Sequence, residues 1–142
     1  MSSHSWPSSS VSPERLLELA REAASMSYSP YSHYRVGAAL LFAGDEVIQS
    51  CNVENASYGL TICAERSGVA AMVSRGKRSP LAIAVVGSHA DRDDYMTVPC
   101  PPCGACRQTL AEFGPDMLVV LASENGAEVY SLNELLPLTF TL

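Results

Sequence analysis

A cysteine and a glutamate two residues apart, followed much later by two cysteines spaced three apart, are the residues in this chain best suited to chemistry. The first stretch reads Thr61-Ile62-Cys63-Ala64-Glu65-Arg66. The second reads Pro101-Pro102-Cys103-Gly104-Ala105-Cys106-Arg107-Gln108, and 39 residues separate Cys63 from Cys103. Thiols are zinc ligands, and three of them are one fewer than a closed site needs. A structural zinc is sealed by four protein ligands, whereas a catalytic zinc keeps one position for water or substrate. Cys63, Cys103 and Cys106 leave that position open. Glu65 lies close enough along the chain to handle the protons of a water bound there.

The residues that follow each motif carry a helical apolar pattern, which predicts Cys63 and Cys103 at the first turns of helices. Unpaired N–H groups and the helix dipole at such a place favour thiolate over thiol, and zinc needs the thiolate. Three thiolates on a divalent ion carry a net charge of −1, which makes the bound water a poorer acid. Arg66 and Arg107 each directly follow a motif residue. A guanidinium hydrogen-bonded to a ligand sulfur would withdraw charge and restore that acidity.

The elements that must position these groups are legible in order. Residues 1–12 hold seven serines and no apolar period. They read as a disordered tail ahead of a single domain over 13–142, with His4 and Trp6 exposed and idle. Ser12-Pro13-Glu14 is a helix start: a cap, a proline at the first position, an acid in the first turn. Leu16, Leu17, Ala20, Ala23 and Ala24 give its inward stripe, and the helix should end near Ser27. Residues 34–43 and 46–53 read as a hairpin turning at Gly44-Asp45. Residues 81–87 are an unbroken apolar run, suited to a central strand buried on both faces. Residues 88–99, with Asp91 to Asp94 all charged, read as a solvated loop. After the helix following Cys103, residues 117–122 are another strand, and Ser131-Leu132-Asn133-Glu134 is a capping box before a short last helix. The alternation α-β-β-α-β-α-β-(β)-α implies a three-layer α/β domain.

Composition bounds the function. The chain has 142 residues, 47% of them hydrophobic, and a net charge of −6. No basic stripe is available for a nucleic-acid backbone. The longest apolar run, residues 36–43, is too short to span a bilayer, and no signal peptide is visible. Five cysteines without a secretion signal point to reduced thiols in an intracellular, cytoplasmic protein. Cys100 adds a third member to a C-x-x-C-x-x-C run. An iron–sulfur site of that type needs a further Cys-Pro, where this chain has Leu110 and Ala111. A non-catalytic structural zinc module with Cys100 as fourth ligand is the main non-enzyme alternative; it leaves Glu65 without a role. Cys51 reads as a buried small hydrophobe, and His33 and His89 as structural or surface residues.

Cys63-Ala64-Glu65-Arg66 with Pro102-Cys103-Gly104-Ala105-Cys106-Arg107-Gln108 resembles the zinc nucleoside deaminases, specifically the small cytidine deaminases with three cysteine ligands. The resemblance runs from about Pro13 to Phe140. It implies a cytidine-deaminase-like three-layer α-β-α fold around a central five-stranded mixed sheet, and one Zn2+ per chain on Cys63, Cys103 and Cys106. It implies hydrolytic deamination of cytidine and deoxycytidine in pyrimidine salvage, with Glu65 as the proton carrier. Asn52 and Glu54, in Asn52-Val53-Glu54-Asn55-Ala56, match the family's ribose-binding segment, and the backbone near Ala64 and Cys103 would orient the base. Tyr34 stands where relatives often place a phenylalanine against the pyrimidine. Members of this type are homotetramers with shared active sites, and Tyr58 and Phe140 match positions that relatives lend to a neighbour. Blasticidin S is an alternative substrate. Deoxycytidylate is disfavoured because no basic phosphate cluster is apparent.

Overall fold

A computed structural model describes residues 4–142. Helix α1 (Pro13–Ala24) opens as its sequence requires: the Ser12 side chain accepts from the Arg15 N–H, and Pro13 starts the first turn. Strands β1 (Tyr34–Leu41) and β2 (Val47–Cys51) form the hairpin, then come α2 (Ala64–Ser74), β3 (Ala82–His89), α3 (Gly104–Ala111), β4 (Leu118–Ser123), β5 (Gly126–Ser131) and α4 (Leu132–Leu135). The five strands lie in the order β2-β1-β3-β4-β5. β3 and β4 are parallel, and the other neighbours are antiparallel. The sheet is therefore mixed, with the parallel pair at its middle.

Side chains alternate across a strand, and here both faces are covered. Ala38, Leu40, Ile83, Val85, Val119 and Leu121 share one core with Ala64, Val69 and Met72 of α2 and Leu110 of α3. Ala39, Leu41, Ala84, Val86 and Val120 face the other way and share a second core with Leu16, Leu17, Ala20 and Ala24 of α1. The result is one helical layer, the sheet, and a second helical layer. The unbroken apolar run of β3 follows from this: residues Ala82 to Ser88 are buried on both sides.

The second layer sits very close to the sheet at one point. A Cβ on Gly37 would lie 2.0 Å from the Ala20 carbonyl oxygen and 2.5 Å from the Ala24 nitrogen. No side chain fits between α1 and β1 there, which is why the helix presents alanines to the strand.

The structure corrects three expectations. Strand β2 ends at Cys51, and beyond it Val53 forms only isolated bridges with Tyr28 and Ile62. The 88–99 segment is not simply solvated: Tyr95 is 3% exposed and belongs to the second core. The Arg21 guanidinium covers its ring at 4.0 Å and also pairs with Asp93. The charged residues are its solvent side, and the aromatic that follows them is its anchor. His4 and Trp6 are not idle either. The Trp6 indole N–H donates to the Val11 carbonyl and the ring packs against the second core, while His4 pairs with Glu134. A local reading of a serine-rich stretch could not show these contacts, because their partners include residues up to 130 positions away. Among the described residues, no helix is long and apolar enough to cross a membrane.

Gly37→Ala tests the close approach of α1. Overpacking at backbone contact is expected to cost about 3 kcal/mol or more, lowering Tm by about 10 °C. An unchanged melting curve by circular dichroism would show that α1 can slide away freely.

Candidate metal and active site

Cys63 is the N-cap of α2 and Cys103 the N-cap of α3, each just before the helical residues rather than inside them. Cys106 follows in the first turn of α3 and is completely buried. The packing of α2 against α3 over one face of the sheet brings the two helix starts together. The sulfurs of Cys63, Cys103 and Cys106 all lie within 4.8 Å of one another. Tetrahedral zinc–sulfur bonds of about 2.3 Å put sulfurs about 3.8 Å apart, so the cluster fits a zinc with slight contraction. Among the described residues it is the one group of three or more potential ligands that close together.

The three thiols differ in environment. The Cys106 backbone N–H holds the Cys103 thiol below its ordinary pKa, with help from the Ala105 N–H. Burial pushes Cys63 and Cys106 up. Without a metal these two keep their protons, so ion binding must displace them.

Glu65 is in the first turn of α2 and only 4% exposed. Burial raises its carboxyl above the usual carboxylate range. Its Oε1 is buried without any hydrogen-bond partner. An orphaned buried carboxylate oxygen is costly, and it points to a group supplied by a ligand. Glu65, Cys63, Cys103, Ala64 and Asn52 line one cavity of about 180 Å³.

Both arginines bond to backbone carbonyls. Arg66 donates to the Thr61 carbonyl at 3.1 Å, and its buried Nε has no partner. Arg107 donates to the carbonyls of Pro102 and Leu135. Both guanidiniums donate to the backbone that leads into the ligand turns, and the Arg66 Nε–H is left over. Arg66 and Arg107 brace the segments that carry Cys63 and Cys103.

Beyond β2 the chain turns so that Asn52 and Glu54 stand beside this cavity. The Asn52 carbonyl oxygen accepts from the Val36 N–H at 3.0 Å and from the Ser27 hydroxyl. Its amide donates to the Tyr34 carbonyl at 2.9 Å. An asparagine offers two lone pairs and two N–H groups, so one N–H remains. Glu54 accepts from the N–H groups of Tyr31 and Ser32 and from the Ser32 hydroxyl. These bonds, the hydroxyl of Ser32 first, hold its carboxyl below the usual range, leaving it ionised with acceptor capacity to spare. Glu54, Tyr31, Ser32, Tyr58 and Thr61 line a second cavity of about 380 Å³. Thr61 belongs to both cavities.

Of the other expected residues, Ala64 lines the first cavity and Tyr58 the second, while Tyr34 and Phe140 line neither. Ala64 is fully buried and its carbonyl accepts from the Ser50 hydroxyl at 2.7 Å. Tyr34 stands behind Cys100, its hydroxyl 3.7 Å from that sulfur. Tyr58 is exposed and meets Tyr31 edge-on at 6.0 Å. Phe140 is 70% exposed, held only through its carbonyl by the Gln108 side chain. Within one chain it lines neither cavity. Cys51 is only half-buried and borders a separate groove. Ser27 and Ser32, which orient Asn52 and Glu54, carried no signal beyond being hydroxyls in the loop before β1.

Residues 10–122 match the family model described as the cytidine and deoxycytidylate deaminase zinc-binding region. The chain is 46% identical over 130 residues to a cytidine deaminase of Halalkalibacterium halodurans, covering 90% of this chain and 93% of that one. The crystal structure of cytidine deaminase from Burkholderia pseudomallei superposes with a TM-score of 0.77 at 44% identity, covering 88% of this chain and 96% of that one. A blasticidin-S deaminase of Bacillus cereus is more distant, 30% identical over 127 residues, covering 89% and 90%.

Metal analysis of two variants tests the ligand set. Cys100→Ser is expected to keep one zinc per chain through exhaustive dialysis, and Cys106→Ser to lose it. Zinc loss from Cys100→Ser would make the site a closed four-thiol one.

Proposed function

The chain belongs to the cytidine and deoxycytidylate deaminase family, and on that premise we propose that it hydrolyses cytidine and deoxycytidine to the corresponding uridines and ammonia at the Cys63–Cys103–Cys106 cluster. It is a zinc-dependent enzyme of that hydrolytic family. The observation that carries the residue assignment is Glu65: a buried carboxylate with an orphaned oxygen, in a small cavity shared with Cys63 and Cys103.

Zinc held by the three cysteines supplies the Lewis acidity that makes water a usable nucleophile near neutral pH. The protein's own part is positioning and proton transfer. Glu65 takes a proton from the attacking water and gives it to N3 of the pyrimidine; it then takes the remaining proton of the hydroxyl added at C4 and gives it to the amine, which leaves as the C4–N bond breaks and the C4 carbonyl forms. Burial, which raises its pKa, suits a group that must both accept and return a proton. The remaining Asn52 N–H and the ionised Glu54 hold the sugar hydroxyls, donor and acceptor side by side. The backbone beside Ala64 and Cys103 orients the base edge.

Blasticidin S is the less favoured substrate, since the relative that bears that name is the more distant one. A structural zinc module has no use for a buried carboxylate with one oxygen left unpartnered. The five free cysteines suit a reducing compartment, and we propose a cytoplasmic enzyme. We further propose a homotetramer with shared sites. Tyr58, Leu60, Ile62, Leu138 and Phe140 are exposed large apolar residues in the segments flanking the site and at the C-terminus, and exposed apolar groups of this kind mark contact surfaces.

Glu65→Gln keeps size and removes the proton carrier. Its turnover of cytidine, followed by ultraviolet absorbance, is expected to fall by about a hundred- to ten-thousand-fold with zinc content unchanged. A zinc-loaded variant of near-normal rate would remove Glu65 from the mechanism. For assembly, light scattering is expected to give about 60 kDa, four times the 15.1 kDa chain. Phe140→Ala is expected to raise KM for cytidine more than it lowers Tm. A fully active monomer would refute the shared site.

A further inference from the structure

One thiol on the wall of the Glu65 cavity has no part in the ligand set or in proton transfer. Cys100 lines that cavity together with Cys63, Glu65 and Cys103. It is held from behind. The Tyr34 hydroxyl lies 3.7 Å from its sulfur, and the Tyr34 ring is wedged edge-on against His89 with centroids 5.0 Å apart. Gly87 of β3 closes the remaining side: a Cβ there would lie 2.8 Å from the Cys100 sulfur and 2.9 Å from the Tyr34 ring and hydroxyl. Burial keeps the Cys100 thiol and the Tyr34 phenol protonated, so the contact is between neutral groups. Cys100 therefore cannot yield outward when something presses on it from the cavity.

The cavity is built for a ligand, because Glu65 lines it, is 4% exposed and has one carboxylate oxygen buried without a partner. At about 180 Å³ it is small beside typical drug-sized sites of roughly 300–1,000 Å³. If C4 of a cytosine faces the sulfurs and N3 faces Glu65, the other ring neighbour of C4 is C5. We propose that Cys100 is the wall facing C5, a specificity-determining residue that sets how large a 5-substituent the enzyme accepts. Tyr34 and Gly87 act through it as positioning residues. This inference rests on the cytidine reading above.

The test compares cytidine with 5-methylcytidine in turnover, and uridine with 5-methyluridine in binding by calorimetry. A single methylene in an apolar pocket is worth roughly ten- to two-hundred-fold. Cys100→Ala opens the wall and is expected to raise the 5-methyl-to-unsubstituted ratio about tenfold in kcat/KM, chiefly through KM, and to raise relative 5-methyluridine affinity likewise. Cys100→Val narrows it and is expected to lower both ratios. Gly87→Ala pushes Cys100 and Tyr34 inward from behind and is expected to lower both ratios with zinc retained. Zinc-loaded Cys100→Ala with unchanged ratios overturns the wall assignment, whatever its absolute rate. Loss of zinc from Cys100→Ala also overturns it, by making Cys100 a ligand. A zinc-loaded wild type that leaves cytidine untouched overturns the substrate reading itself, and the wall falls with it.

Discussion

Two helices begin at one place, and their first turns share three sulfurs. Cys63 caps α2 and Cys103 caps α3, and the two starts meet over the same face of the sheet. A helix start presents unpaired N–H groups and the positive end of a dipole, which offsets part of the cost of gathering thiolates. Everything around the site serves that convergence. The parallel pairing of β3 with β4 sets the relative height of the elements. The shared core of Met72, Val69 and Leu110 fixes the spacing of the helices. Arg66 and Arg107 tie the incoming segments through their carbonyls.

The polar half of the site is arranged by a second constraint, the chain's return after β2. Without regular pairing, residues 52–62 are held by the Val53 bridges and by side chains that reach back to the loop before β1. Asn52 and Glu54 thus each do two jobs. Most of their hydrogen-bonding capacity ties this return to residues 27–36, and the remainder faces the cavities. Their removal would cost local order, so kinetic effects there should be read beside a stability measurement.

The cavity that holds Glu65 is small and stiff for connected reasons. β3 is buried on both faces and brings Gly87 against Cys100 and Tyr34. The segment leading to Cys100 is moored at Tyr95 beneath Arg21. Burial of Glu65 beside this wall favours the protonated carboxyl.

Much of this was legible in the residues. Period and caps gave the elements: Ser12-Pro13 and the capping box at Ser131 each encode a contact within a few residues, and the apolar run of β3 encodes burial on both faces. The paired motif pointed to the three cysteines that the fold gathers and to Glu65 beside them, because zinc chemistry restricts both residue type and spacing. What required the tertiary structure were contacts between distant positions. Tyr95 under Arg21, Ser27 on Asn52, Ser32 on Glu54, Tyr34 on Cys100 and the arginines on backbone carbonyls join residues from 5 to 74 positions apart. Arg66 and Arg107 each bond to a backbone carbonyl, which their neighbours in sequence did not specify. Local pattern decides which residues become a helix or a strand; only the register of the sheet and the packing of its two layers decide which of them meet.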